Sequence, residues 1–156
     1  MITFIALKLF TMNKLIGIFI LLSSFCFGQK AEEDLVKQTV EKLFTGMKNA
    51  DSEMIESVFA ETVIMQTIAK DGSVKTQNIK DFIISISALP KGDADERITF
   101  QGIHIDGTLA SVFTPYEFYY KGNFSHCGAN SFQLVKQNDV WKIQYLIDTR
   151  RKDCKK

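Results

Sequence analysis

Proline and tryptophan are scarce in this chain, with two and one among its 156 residues, and no apolar run reaches the ~20 residues that span a bilayer as a helix. Histidine occurs twice and cysteine three times, with no Cys-x-x-Cys pair and no ligand cluster beside them, so no metal site is expected. Excess charge of either sign is also missing, since 19 basic residues face 18 acidic ones. A nucleic-acid partner would call for a marked basic footprint, and none is expected here. The sequence contains no internal repeat, no low-complexity segment and no signature that calls for a cofactor. What is present is ordinary globular material, 46% hydrophobic and 24% charged, enough for a core in one domain.

The first stretch differs in kind. Leu15 to Phe25 is almost wholly apolar, follows Lys14, and ends at Cys26-Phe27-Gly28. That pattern reads as a secretory signal peptide over residues 1–28, with cleavage before Gln29, and Met12 offers a more compact start than Met1. Phe25 stands where lipid attachment at Cys26 would need a small residue, so release into periplasm or medium is expected, with no membrane attachment after cleavage. The mature chain would then carry Cys127 and Cys154, a candidate disulfide in an oxidising compartment. By the alternation of its strand Cys127 lies on the outer face, so Cys154 reaches it only if the tail turns back sharply.

From there the chain reads as helices followed by strands. Glu32 to Asn49 places Leu35, Val36, Val40, Leu43, Phe44 and Met47 at helical spacing. Asp51 or Ser52 can cap a shorter helix, Val63 to Ala69 and Val74 to Gln77 flank the turn Asp71-Gly72, and Asn78 opens a third helix that Pro90 and Gly92 end. Beyond it, Arg97 to Ile105, Leu109 to Tyr120, Phe124 to Lys136 and Val140 to Arg150 form an antiparallel meander. The expected architecture is α+β: a cone-shaped, curved antiparallel sheet with three helices on its concave face, occupying residues 29–150, and a basic tail over 151–156.

Strand pairing can be tested by polarity. If Val135 faces Val140, then Phe132 meets Ile143, Asn130 meets Tyr145, Gly128 meets Ile147 and His126 meets Thr149, and one face is mostly apolar. If Tyr120 faces Phe124, then Phe118 meets His126, Tyr116 meets Gly128 and Thr114 meets Asn130, and the same face emerges. Gly128 leaves room for a ring or a ligand against the backbone. Around that gap gather the candidate ligand-binding residues Tyr116, Phe118, His126, Asn130, Tyr145 and Thr149, while Phe132, Leu134, Trp141 and Ile143 fill the core. A buried imidazole must find partners or bind something, which makes His126 the candidate catalytic base or simply a satisfied core group. In this register Asp148 faces away from His126, and the last three strands contribute no inward carboxylate.

The order helix, helix, hairpin, helix, meander resembles the nuclear transport factor 2-like superfamily. Locally, the run from Tyr116 to Leu134 with its Ser125-His126-Cys127-Gly128 segment, followed by Trp141-Lys142-Ile143, is similar to its bacterial lumazine-binding-like and SnoaL-like branch. The resemblance covers roughly residues 31 to 150. It implies a pocket between sheet and helices, a tendency to form homodimers through the open sheet, and relatives that include isomerases and cyclases as well as binding modules. Three functions therefore stand open: a non-catalytic pocket for a small hydrophobic or heterocyclic ligand, an isomerase- or cyclase-type enzyme with His126 as base, and a secreted protein-interaction scaffold.

Overall fold

A computed structural model describes residues 30–154 of the chain. The chain clusters into two units, 1–34 and 35–156; of the first, residues 30–34 are described and are helical. The expected signal peptide lies outside the described residues.

Residues 30–49 form helix α1. From Leu35 onward its apolar stripe buries Val36, Val40, Leu43, Phe44 and Met47, while Leu35 itself stays exposed. Helix α2 (Ser52–Val58) starts where the Asp51 carboxylate accepts the Met54 amide at 2.9 Å, and it buries Ile55 and Val58. Strands β1 (Phe59–Ile68) and β2 (Val74–Gln77) form the hairpin expected around Asp71-Gly72. Helix α3 (Ile79–Ser87) begins at Asn78, whose side chain accepts the Lys80 and Asp81 amides. It lays Ile79, Phe82, Ile83 and Ile86 against the core without fully burying any residue.

Strands β3 (Ala94–Ile98), β4 (Gly102–Asp106), β5 (Leu109–Tyr120), β6 (Asn123–Gln137) and β7 (Val140–Arg151) complete a seven-stranded sheet ordered β2-β1-β7-β6-β5-β3, with β4 also on β5. The single strand expected from Arg97 to Ile105 is thus two, both hydrogen-bonded to β5. The sheet is mixed rather than wholly antiparallel, because β1 lies parallel to β7. Its concave face carries Val112, Phe132, Leu134, Trp141 and Ile143, packed with the three helices into one apolar core.

Register decides what that face presents. The β5–β6 pairing matches the expectation at Phe118 with His126, Tyr116 with Gly128 and Thr114 with Asn130. Near the turn it differs: Lys121-Gly122, both at positive φ, make a two-residue loop, Tyr120 pairs with Asn123, and Ser125 is the extra residue of a bulge. In the β6–β7 hairpin the loop is again two residues, Asn138-Asp139 at positive φ, so Gln137 pairs with Val140 and Leu134 with Ile143. That shift of two preserves the faces. Then Gln144 intervenes as an extra residue: Leu134 pairs with Ile143, but Gln133 pairs with Tyr145. Every side chain beyond it changes face. Leu146, Asp148 and Arg150 turn inward, and Tyr145, Ile147 and Thr149 turn out, which corrects the expected positions of Tyr145, Thr149 and Asp148.

Candidate functional site

The inward end of the sheet becomes polar where the helices no longer fill it. Met65 of β1, Leu43, Phe44 and Met47 of α1, Phe82 of α3 and Leu146 of β7 wall a pocket. Glu96 of β3, Asn130 of β6 and Asp148 of β7 form its floor, and exposed Gln77 and Arg150 stand at its rim. The free volume is about 50 Å³, room for a few waters or the head of a small molecule.

A bridge across the sheet builds this floor. Gly128 lacks the Cβ that would fall 1.8 Å from the Thr149 carbonyl oxygen and 2.6 Å from the Tyr116 ring. Through the space so left, Tyr116 crosses from β5 over β6 to β7, where its hydroxyl donates to the Thr149 carbonyl at 2.9 Å and meets the Asp148 carboxylate at 3.2 Å. The gap foreseen at Gly128 is thus occupied by a tyrosine of the same chain. Arg150 Nε donates to the same Asp148 oxygen at 2.9 Å and its terminal nitrogen to Thr67 Oγ1 at 3.3 Å. Asn130 Nδ2 donates to Glu96 Oε1 at 2.8 Å and lies 3.5 Å from Thr114 Oγ1.

Protonation follows from these surroundings. Glu96 keeps some surface as a residue, but its carboxyl lies deep in the cone; burial, reinforced by the Asp148 charge, pushes its pKa up to about 7 against the Asn130 hydrogen bond and the Arg150 charge. Burial and the charges of Asp148 and Glu96 keep the Tyr116 hydroxyl protonated well above the ordinary tyrosine range. Burial and the Arg150 charge lower the pKa of His126.

The residues singled out from sequence therefore separate. Tyr116 and Asn130 join the floor or its support. His126 stands further along β6, half-buried, its ring 5.1 Å from Phe118 and 5.7 Å from Tyr116, with Nδ1 3.1 Å from Ser125 Oγ. It is outside the residues that line the pocket. Tyr145 lies on the outer face, where its hydroxyl donates to Gln66 at 2.8 Å, and Thr149 Oγ1 there accepts the Ala129 amide. Two carboxyl groups face inward after all, Asp148 through the Gln144 bulge and Glu96 through the pairing of β3 with β5. Cys127 and Cys154 are joined in a disulfide with Cα atoms 6.1 Å apart, the short tail turning back after Arg151 as that bridge requires. Among the described residues no three His, Cys, Asp or Glu side chains cluster as metal ligands, and no helix is long and apolar enough to cross a membrane.

Residues 31–144 match the model of the family described as "Putative lumazine-binding". The chain belongs to this family. Its fold is shared with solved NTF2-like proteins of unknown function. One from Shewanella baltica is 18% identical, with 79% of this chain and 96% of that one covered at a TM-score of 0.64. A second, from Silicibacter pomeroyi, is 14% identical over 79% and 98% at a TM-score of 0.65. A third, from Methylobacillus flagellatus, is 20% identical over 78% and 93% at 0.60. No curated protein matches the chain. At such identities the solved structures establish an α+β NTF2-like fold, and family membership makes a ligand-binding domain of unknown function the description of this lumazine-binding-like protein.

Proposed function

We propose that this chain is an exported binding domain whose pocket takes the head of a small hydrophobic or heterocyclic molecule and performs no reaction on it. The observation that carries the reading is the cavity itself, with apolar walls from α1, α3 and β7 and three convergent polar groups, Glu96, Asn130 and Asp148, on its floor. A guest larger than a few heavy atoms needs α3 to shift, and that helix is the one element of the wall with no fully buried residue. Thermal-shift screening of wild type against Asn130→Leu tests the proposal. A true ligand at a hundredfold excess over its Kd stabilises wild type by about 2.7 kcal/mol. A library in which no compound separates the two proteins would overturn it.

Export is supported by the apolar run Leu15–Phe25 and by the Cys127–Cys154 bridge, which persists in oxidising compartments. N-terminal sequencing of protein from fractionated cells should find a chain starting near Gln29 outside the cytoplasm; an uncleaved cytoplasmic product would refute export. A homodimer through the outer sheet face belongs to the same proposal, supported by Ile64 and Phe113, which stand 48% and 44% exposed there. Sedimentation should give a dimer that Phe113→Lys dissociates, and a monomeric wild type would exclude it.

One observation favours an acid–base enzyme as a second reading: a buried carboxyl, Glu96, with its pKa near 7. Glu96 and not His126 is the base this pocket offers. Any turnover found should then follow a pH profile with an inflection near 7 that Glu96→Gln abolishes.

A further inference from the structure

The pocket floor carries more negative than positive charge. Arg150 and the Tyr116 hydroxyl are both directed at Asp148, whereas Glu96 receives the neutral amide of Asn130. The ion pairs nearest the floor join Lys48 and Arg97 to Asp95 and Arg150 to Asp148, and none of these reaches Glu96. Among the described residues no further cation lines the pocket: α1 and α3 present Leu43, Phe44, Met47 and Phe82, β1 and β2 present no charge, β7 presents Asp148 and Arg150, and the Tyr116 hydroxyl of β5 stays protonated. His126 of β6 lies further off, and the shift of its pKa below the ordinary value favours its neutral form. An ionised Glu96 therefore leaves one uncompensated negative charge at the bottom of an apolar cleft, which calls for a proton or for a cation.

We propose that the natural guest of this pocket is a small monocation, a protonated amine or basic nitrogen heterocycle, whose N–H donates to Glu96 while its apolar body lies against Leu43, Phe44 and Phe82. The inference rests on the binding reading above and narrows it to one charge class. An anion would meet two carboxylates, and a neutral molecule would leave Glu96 to keep its proton and would gain nothing from its charge. When the pocket is empty the proton takes the cation's place, which agrees with a carboxyl that titrates at about 7. Guest and proton then compete, so binding tightens as pH rises through that value. From the ionised fractions, the change between pH 6 and pH 8 is about tenfold.

Butylammonium, 1-butanol and butyrate, titrated into 15N-labelled protein at pH 6 and pH 8, test this by the amide shifts of Leu43, Glu96, Asn130 and Asp148. Butylammonium should bind at least tenfold tighter than butanol at pH 8, lose about tenfold at pH 6, and lose its advantage in Glu96→Gln, which keeps the acceptor for Asn130. Should that variant fail to fold, the wild-type pH dependence decides. Equal binding of butylammonium and butanol, or an advantage independent of pH, would overturn the cation proposal while leaving the binding pocket in place. Shifts from none of the three probes would remove the pocket reading and the proposal together.

Discussion

Glu96 sits among Asp93, Asp95 and Arg97, and in the sequence such a charged run reads as a solvated face. The strand there is expected to begin at Arg97, whereas β3 begins at Ala94 and takes Glu96 into the sheet. Only the pairing of Glu96 with Phe118 turns it into the cone. Its carboxyl holds a proton more tightly folded than unfolded, with a pKa of about 7 against 4.5. Between those values the folded state binds more protons, so stability falls as pH rises through this window and levels off above 7. Glu96→Gln should accordingly be more stable than wild type at pH 8, by up to roughly 3 kcal/mol, and equal to it at pH 4, as urea melts at the two pH values would show. Gly128 makes a contrasting case, since its need for open space was legible. Gly128→Ala drives a Cβ against the Thr149 carbonyl, a backbone atom that cannot swing aside, and into the Tyr116 ring. A loss of about 3 kcal/mol is expected in urea unfolding, with an unchanged melt as the contrary result.

Among the elements, the helices were readable because capping and apolar spacing are local. Asp51 and Asn78 cap where the sequence places them, and the stripe from Val36 to Met47 is buried as spaced. Most strands were readable in extent, β1 and the β3–β4 stretch excepted, and register was readable between β5 and β6 but not along β7. A pairing argument from polarity assumes unbroken alternation, and the Gln144 bulge breaks it. Nothing in Ile143-Gln144-Tyr145 marks a bulge, because its cause lies elsewhere: β1 is irregular between Phe59 and Ile64 at the same level, and the Gln144 side chain donates to the Thr62 carbonyl at 2.8 Å. Deleting Gln144 should remove the bulge and leave the faces as they are, because Leu134–Ile143 is then followed directly by Gln133–Tyr145 and Phe132–Leu146, with Leu146 and Asp148 still inward. The shortened chain is predicted to keep native-like amide shifts for Asp148 and to lose about 1 kcal/mol in urea melts with the Gln144–Thr62 hydrogen bond; a lost cooperative transition would show that the bulge itself is required where β1 meets β7.

For the molecule as a whole, the disulfide ties the segment after β7 back to β6 across a separation of 27 residues. A loop of that size restricts the unfolded chain enough to stabilise the fold by about 3 to 4 kcal/mol in the chain-entropy account. Cys154→Ser should lower the unfolding free energy by that amount, and reduced wild type should match it; a variant as stable as oxidised wild type would show the bridge to be incidental. The sequence by itself determined the α+β class, the three helices, the limits of most strands and the parity of β5 against β6. Each of these follows from side-chain periodicity or turn chemistry within a few residues. Tertiary structure alone decided which carboxylates enter the cone, why Tyr145 and Thr149 leave it, and where the pocket lies relative to His126. Those outcomes depend on contacts between β1 and β7 and between β3 and β5, strands far apart in the chain, and one inserted residue at such a contact reverses every face beyond it.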